Sequence, residues 1–127
     1  MSKHVTTVSE EGFAATSEVR EFDLEIDAGG EGTPDTLETL LASYATCYVP
    51  VLRVGGQQRG VDELGRIEID VTGELNDDDK LESISFDVDV EADVDEETGE
   101  KVIDRANELC KVHDALKPDL HAEMSLE

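Results

Sequence analysis

The sequence contains no tryptophan, only two cysteines and few positive charges. Ten lysines and arginines stand against 33 aspartates and glutamates, which gives a formal net charge of −23. A chain this negative repels phosphate groups, and it lacks the cations whose contacts release counterions from a nucleic acid. We therefore expect no nucleic-acid partner and no binding to an anionic membrane surface.

The acidic residues are spread along most of the chain rather than collected in a tail, and only five lysines are present. Concentrated salt screens the resulting self-repulsion over a short range, roughly 3 Å at 1 M. The pattern favours a protein from a halophile, kept soluble in concentrated salt. An ordinary acidic cytosolic protein is the alternative.

Long apolar runs are also missing. No segment offers the roughly 18 apolar residues of a membrane span, and no apolar run follows Met1-Ser2-Lys3-His4 as a secretory leader requires. We expect a cytoplasmic protein. In that reducing compartment a disulfide kept only for stability is rare, so a bridge between the two cysteines would be transient and chemical. Two inert thiols are the alternative.

Hydrophobic periodicity is what the chain does have. Hydrophobic residues make up 38% of the 127 positions, and this length suits a single domain with one modest core. Residues 1–27 predict three strands of an antiparallel meander, because apolar and polar residues alternate there. Glu11-Gly12 supplies the first turn, and the third strand is predicted over residues 20–26.

Residues 34–59 predict a helix with Cys47 in its middle. Apolar residues recur at spacings of three and four, beginning at Leu37. Gly55-Gly56 is predicted to end the helix, and Pro50 to kink or break it, because proline removes a backbone hydrogen bond and clashes with the preceding turn.

The rest of the chain predicts a hairpin, a second helix and a last strand. Apolar and polar residues alternate on both sides of an acidic loop in residues 64–91, helical spacing with capping acids covers residues 95–117, and residues 119–127 predict the strand. The predicted order is β-β-β-α-β-β-α-β, an α+β fold with an antiparallel sheet and two main helices, in one domain.

The two cysteines, Cys47 and Cys110, are both predicted on helices, which could pack together on one face of a sheet. Two adjacent thiols can reduce a peroxide in two steps, since the first becomes a sulfenic acid and the second condenses with it to a disulfide. Two buried core cysteines are the alternative. A zinc site made of Cys110, His113 and Cys47 lacks a clear fourth ligand, so no metal and no other cofactor is expected.

Several short motifs surround the cysteines in a fixed order. A Gly-rich loop is followed by Pro34, Glu38 and Leu40-Leu41-Ala42, then by Cys47-Tyr48, the hairpin and Cys110-Lys111-Val112-His113. This order closely resembles the OsmC/Ohr family, the osmotically induced and organic hydroperoxide resistance proteins. The resemblance covers nearly the whole chain and implies an OsmC-like fold in which two chains intertwine as a homodimer.

The resemblance also implies roles for individual residues. Cys47 matches the peroxidatic cysteine and Cys110 the resolving cysteine, while Glu38 falls near the glutamate that helps to hold an arginine and the substrate. His113 matches the histidine of the second motif. The implied reaction is thiol-dependent reduction of organic hydroperoxides, with a small dithiol or a lipoylated protein as the reductant.

The chain departs from the family pattern at two places. The first turn, Ser9-Glu10-Glu11-Gly12, holds no cation, so Arg20 is our candidate for the group that activates Cys47, together with Glu38; an arginine that merely solvates a strand is the alternative. Lys111 stands where the family has a proline.

Tyr44 and Tyr48 flank Cys47 along the helix and are predicted, with His113, to contact the substrate, although core packing explains Tyr44 equally well.

These departures keep a second function open. A member of the same fold without peroxidase activity, such as a redox-sensing or small-molecule-binding stress protein, shares the predicted fold and dimer. The two functions differ in whether Cys47 and Cys110 approach each other and whether a cation lies beside Cys47.

Overall fold

The structure is a computed structural model that describes residues 1–126. The chain divides into two compact units, one formed by residues 1–40 and the other beginning at Leu41. The prediction of a single domain over residues 1–127 stays a prediction.

The first unit contains the predicted meander. Strands β1 (Thr6–Val8), β2 (Ala14–Val19) and β3 (Phe22–Asp27) form an antiparallel sheet in that order. Gly12 turns the chain before β2 with a φ of +69°. Arg20 does not lie in the third strand as predicted. It occupies the tight turn between β2 and β3 in the left-handed region, with a φ of +55°.

Helix α1 (Thr36–Gln58) begins at a reciprocal cap. The Glu38 N–H donates to the Asp35 carboxylate at 2.8 Å, and the Asp35 N–H donates to the Glu38 carboxylate at 2.9 Å. This is a capping box with aspartate in the first position. The helix runs on through Pro50, so the predicted break near that residue is wrong.

The helix also passes through Gly55-Gly56, contrary to the prediction that this pair ends it. Both glycines are buried against other parts of the chain, and a Cβ on Gly55 would lie 3.1 Å from the Val102 carbonyl oxygen. They allow close backbone approach rather than termination. The chain turns instead at Gly60, whose φ is +95°.

The second sheet consists of β4 (Ile67–Leu75), β5 (Leu81–Val90) and β6 (Glu123–Leu126), in that order. The predicted hairpin is confirmed, and the Asn76 carboxamide oxygen accepts N–H groups from Asp78 and Lys80 in its loop. Strand β6 pairs with β5 in parallel, so this sheet is mixed and not antiparallel throughout. The predicted strand began at residue 119, but residues 118–120 form a 3₁₀ turn; residue 127 lies outside the described residues.

The predicted second helix is two helices. Helix α2 (Glu96–Leu109) starts at Asp95, whose carboxylate accepts the Thr98 N–H at 2.7 Å, and α3 (Lys111–Ala115) follows after a break of one residue. The break is Cys110, in an extended conformation with φ −75° and ψ 115°. The α+β class and the two main helices are confirmed.

The core lies in the second unit. Alternate residues of β5 are buried, as expected for a strand with one wet face. They pack against the apolar faces of α1 and α2. The fully buried large side chains are Tyr44, Tyr48, Phe86, Leu52, Ile84, Val88, Val102 and Cys110. Within the described residues, no helix has both the length and the apolar character needed to cross a membrane.

Candidate functional site

The two cysteines meet in the second unit. Cys47 projects from the middle of α1 and is half-buried, whereas Cys110, at the break between α2 and α3, is 1% exposed. Both thiols are free, and each side chain lies near enough to the other to shift its pKa. The predicted approach of Cys47 to Cys110 is therefore present, although Cys110 terminates one helix and caps the next instead of lying within a helix.

The segment after Cys110 provides the groups that favour a Cys47 thiolate. Burial of the sulfur acts to raise its pKa, but the Val112 N–H and the Cys110 thiol favour the charged form. Lys111 adds its own N–H and the positive charge of its ammonium. Together these groups outweigh burial, so the pKa of Cys47 lies below its ordinary value.

Cys110 is the less acidic thiol of the pair. Burial raises the pKa of Cys110, and the hydrogen bond and charge of Cys47 raise it further, against the opposing effect of the His113 N–H. The His113 N–H points at the Cys110 sulfur, with 3.5 Å between nitrogen and Sγ. The pair therefore favours one arrangement of the proton, with a thiolate at Cys47 and a thiol at Cys110.

Tyr44 and His113 lie beside this pair. The Tyr44 ring packs on Phe86 with 4.6 Å between ring centroids, and its hydroxyl lies 2.5 Å from Nδ1 of His113. The Ala122 N–H donates to the same hydroxyl at 3.0 Å. Burial raises the pKa of Tyr44, which keeps the phenol protonated.

Tyr48 faces the helix α2 side of the core. Its hydroxyl donates to the Asn107 carboxamide oxygen at 2.8 Å, and burial raises its pKa far above the ordinary range. Tyr44 and Tyr48 are both 0% exposed, so each has a packing role that needs no ligand. Their assignment, with His113, as substrate contacts stays a prediction.

Both residues of the predicted activating pair, Arg20 and Glu38, belong to the first unit. The Glu38 carboxylate is occupied by the cap of α1, and the Arg20 guanidinium carbon lies 5.2 Å from the centroid of the Phe22 ring. These contacts account for both side chains without a catalytic role. Activation of Cys47 by Arg20 and Glu38 stays a prediction.

Sequence reasoning missed Lys111 and Val112. It noted Lys111 only as the residue that stands in place of the family's proline, but the group on which Lys111 acts is Cys47. A signal was available: the residue after Cys110 is not a proline, so it has an N–H to donate.

Within residues 1–126, no group of three or more His, Cys, Asp or Glu side chains is placed to hold a metal ion. The His113 Nδ1 is occupied by Tyr44, so the nitrogen that a zinc site would require from the Cys110-x-x-His113 pair is limited to Nε2.

Comparison with known proteins identifies the family of this chain. A family model for OsmC-like proteins matches residues 28–125. A protein of Haloferax volcanii, named only "Uncharacterized protein", is 47% identical over 121 residues, which cover 95% of this chain and 92% of that one. The relative is consistent with the predicted origin in a halophile.

Solved structures share the fold at low sequence identity. The crystal structure of an OsmC-like protein from Mycoplasma pneumoniae has a TM-score of 0.83 at 18% identity, covering 100% of this chain and 95% of that one. The organic hydroperoxide resistance protein OhrB of Bacillus subtilis has a TM-score of 0.75 at 20% identity, covering 100% and 98%. The chain belongs to the family of OsmC-like proteins.

Proposed function

We propose that the protein reduces organic hydroperoxides with Cys47 as the nucleophile and Cys110 as the resolving thiol. The observation that carries this proposal is the proximity of two free thiols whose pKa values are shifted in opposite directions. A thiolate is the attacking species in such chemistry, and Cys47 is the partner whose environment favours it. Family membership supports the proposal, because relatives of this fold are named organic hydroperoxide resistance proteins.

The proposed reaction has three steps. The Cys47 thiolate attacks the outer oxygen of the hydroperoxide, the O–O bond breaks, and the alkoxide leaves and takes a proton to become an alcohol. Cys47 is then a sulfenic acid. The Cys110 thiol condenses with it, which forms the S–S bond and releases water. An external dithiol finally exchanges with the disulfide, regenerates both thiols and is itself oxidised.

The surroundings of Cys47 favour an organic substrate. Cys47 is one of the partly buried hydrophobic residues that pack against the core. An alkyl group on the peroxide gains from contact with such a surface, and hydrogen peroxide has none to offer. The reductant is a small dithiol or a lipoylated protein. The active form is a homodimer.

The test is rapid mixing of the reduced protein with cumene hydroperoxide or hydrogen peroxide in concentrated salt. We expect the organic peroxide to be consumed faster, and the reaction to be lost in Cys47→Ser. In Cys110→Ser a single turnover should persist and leave a sulfenic acid that dimedone traps. Dihydrolipoamide should restore the wild-type thiols.

Two outcomes of this experiment oppose the proposal. Rates no higher than those of free cysteine, unchanged by Cys47→Ser, would show that the pair does not reduce peroxides and would leave a non-peroxidatic use of the family fold. If Cys110→Ser consumes the peroxide and converts the Cys47 sulfenic acid onward at wild-type rates, Cys110 takes no part in the mechanism. Ser43→Ala, at an exposed position one turn before Cys47, is the matched control.

A further inference from the structure

His121 lies where the sequence pattern did not place it. It falls in the segment predicted as the last strand, residues 119–127, but it precedes β6 and is half-buried. Its ring stacks on that of His113, with 3.9 Å between centroids and 26° between planes. The His121 Nε2 is buried and has no hydrogen-bond partner among the described residues. A stacked pair of this kind places two basic rings in one partly buried space.

The Tyr44 hydroxyl is placed to donate to a neutral His113. Its oxygen accepts the Ala122 N–H, so its own proton is available for the Nδ1 of His113 at 2.5 Å. An imidazole that accepts at Nδ1 is neutral and carries its proton on Nε2. Donation by Tyr44 therefore corresponds to an uncharged His113, the form that also avoids repulsion by a positively charged His121.

Three segments meet at this point. Tyr44 lies on α1, one turn before Cys47. His113 lies in the turn that starts at Cys110, and its N–H donates to the Cys110 sulfur. Ala122, whose N–H donates to the Tyr44 hydroxyl, follows His121. Contacts at the Tyr44 hydroxyl therefore tie the element that carries one thiol to the turn that carries the other. We call this group of contacts among Tyr44, His113 and Ala122 the junction. His121 contacts the junction through the ring of His113.

We propose that His121 is a positioning residue of the cysteine pair: stacked on His113, it keeps that imidazole neutral and directed at Tyr44, and so fixes the Cys110 turn against α1. The role concerns the thiol pair itself and does not depend on whether the pair reduces peroxides. It makes closure of the Cys47–Cys110 bridge sensitive to protonation of the histidines.

The groups around His113 set the direction of this sensitivity. Tyr44 faces the ring from α1, His121 faces it from the connection before β6, and Asp114 and Cys110 belong to its own turn. Burial lowers the pKa of His113, the charge of His121 lowers it further, and Asp114 opposes them. Once His113 is protonated, its Nδ1 carries a proton and can no longer accept the Tyr44 hydroxyl.

The sign of the stability effect follows from the lowered pKa. The folded protein binds the His113 proton less readily than the unfolded chain does. The stabilisation from the junction is therefore fully present above the ordinary histidine pKa of about 6.5, and it is lost as the pH falls through the lower value of the folded protein. Acid should loosen the Cys110 turn and disfavour the bridge.

The test is the equilibrium between the Cys47–Cys110 disulfide and glutathione, measured by mass spectrometry from about pH 5 to 7.5, the range where histidine titrates. Two glutathione thiols reduce the bridge and become one glutathione disulfide. Ionisation of Cys47 in the reduced protein favours opening of the bridge as the pH rises, which is opposite in sign to the expected effect of the histidines and is shared by the wild type and the His121 variants. The bridge is formed beforehand with diamide. In the wild type we expect its stability to fall several-fold as the pH is lowered.

The variants separate stacking from charge. His121→Phe keeps an aromatic ring on His113 and removes the second charge, so the bridge should be as stable as in wild type at neutral pH, with its acid transition moved to higher pH. His121→Ala removes the stack and should weaken the bridge several-fold at neutral pH. His4→Gln, at an exposed position of the first unit, is the matched control and should match the wild type.

Histidine ring signals in NMR spectra report the same event directly, since the chain has three histidines. The His113 titration should move to higher pH in His121→Phe. If bridge stability and the His113 titration are the same in His121→Ala as in wild type, the positioning role is refuted, while the peroxidase proposal stands. If the wild type does not reduce peroxides but His121→Ala still weakens the bridge, only the peroxidase proposal is refuted. If the wild type never forms the Cys47–Cys110 bridge, both proposals are refuted.

Discussion

Lys111 gives Cys47 two interactions that the proline of the family pattern cannot give. Its backbone N–H and its ammonium charge both favour the thiolate, and the Val112 N–H acts beside them. A hydrogen bond to a charged acceptor is worth more than one between neutral groups. The chain thereby supplies a donor and a cation from the turn that also carries the second thiol.

We expect Lys111→Gln and Lys111→Pro to slow alkylation of Cys47 by different amounts. Glutamine removes the charge and keeps the N–H, so the rate at pH 7 should fall by about threefold, because an exposed charge contributes little. Proline removes both, and the rate should fall by roughly tenfold. The measurement is the pH profile of iodoacetamide labelling at Cys47, read by peptide mapping.

Controls are available for the two Lys111 variants. Proline is well tolerated at the first position of a helix, which Lys111 occupies in α3, so the fold should survive. Lys117→Gln removes an equal charge from an exposed position outside α3 and should leave the labelling unchanged. Equal rates in the wild type and Lys111→Pro would show that Lys111 does not act on Cys47.

Single residues show why the site was only partly predictable. The motif match assigned Cys47 and Cys110 to one site, because it depends on residue types and their order. The search for a cation failed to include Lys111, because the sequence gives distances along the chain and not the direction of an N–H. Arg20 was placed in a strand, whereas its left-handed backbone puts it in a turn that only the strand register defines.

At the level of elements, the crossing of α1 and α2 depends on Gly55. A Cβ at this position would lie 3.1 Å from the Val102 carbonyl oxygen and 3.4 Å from the Ala106 nitrogen, and both atoms belong to the backbone of α2. Backbone atoms cannot move aside as a flexible side chain can. The two helices must therefore separate to admit a methyl group.

We expect Gly55→Ala to destabilise the protein by about 1–3 kcal/mol, the usual effect of overpacking. The sign of this change in unfolding free energy is informative, because alanine within a helix is otherwise more stable than glycine by about 1 kcal/mol. Urea unfolding in concentrated salt measures the change. Ser43→Ala, at an exposed position of the same helix, should be neutral or slightly stabilising. A gain in stability at Gly55 would mean that the crossing is not tight.

The sequence predicted the elements better than their ends. Periodicity located α1, the hairpin and the meander, because each depends on one buried face. It could not show that Gly55-Gly56 lies within a helix, since glycine marks both helix ends and close helix contacts. The break at Cys110 was hidden for another reason: apolar residues continue at helical spacing on both sides of it. The parallel direction of β6 depends on tertiary pairing that no local pattern encodes.

At the scale of the whole molecule, the first unit exposes more apolar surface than a solvated sheet needs. Six of its large hydrophobic residues are exposed, with Phe13 at 81% and Phe22 at 52%, while the buried core residues among the described residues all belong to the second unit. The other four are Met1, Val5, Val8 and Leu24. A surface of this kind favours contact with another protein surface, and a second copy of the chain is the proposed partner.

We expect the wild type to sediment as a dimer at micromolar concentration in concentrated salt. The double variant Phe13→Ser/Phe22→Ser should shift the equilibrium towards monomer by at least tenfold, because it removes two large apolar contacts. Leu75→Ser changes an exposed apolar residue of the second unit and serves as the control. A wild-type monomer under these conditions would contradict the dimer.

The parallel pairing of β5 with β6 has a kinetic consequence. Ser85 lies opposite Glu123, 38 residues further along the chain, and the connection between them contains α2, α3 and Cys110. Closing so long a loop before its contacts form is slow compared with closing a hairpin. During refolding the Cys110 thiol therefore remains accessible after the β4–β5 hairpin has formed. Oxidants present in that interval can trap it in unproductive bridges, so a reducing medium should increase the yield of native protein.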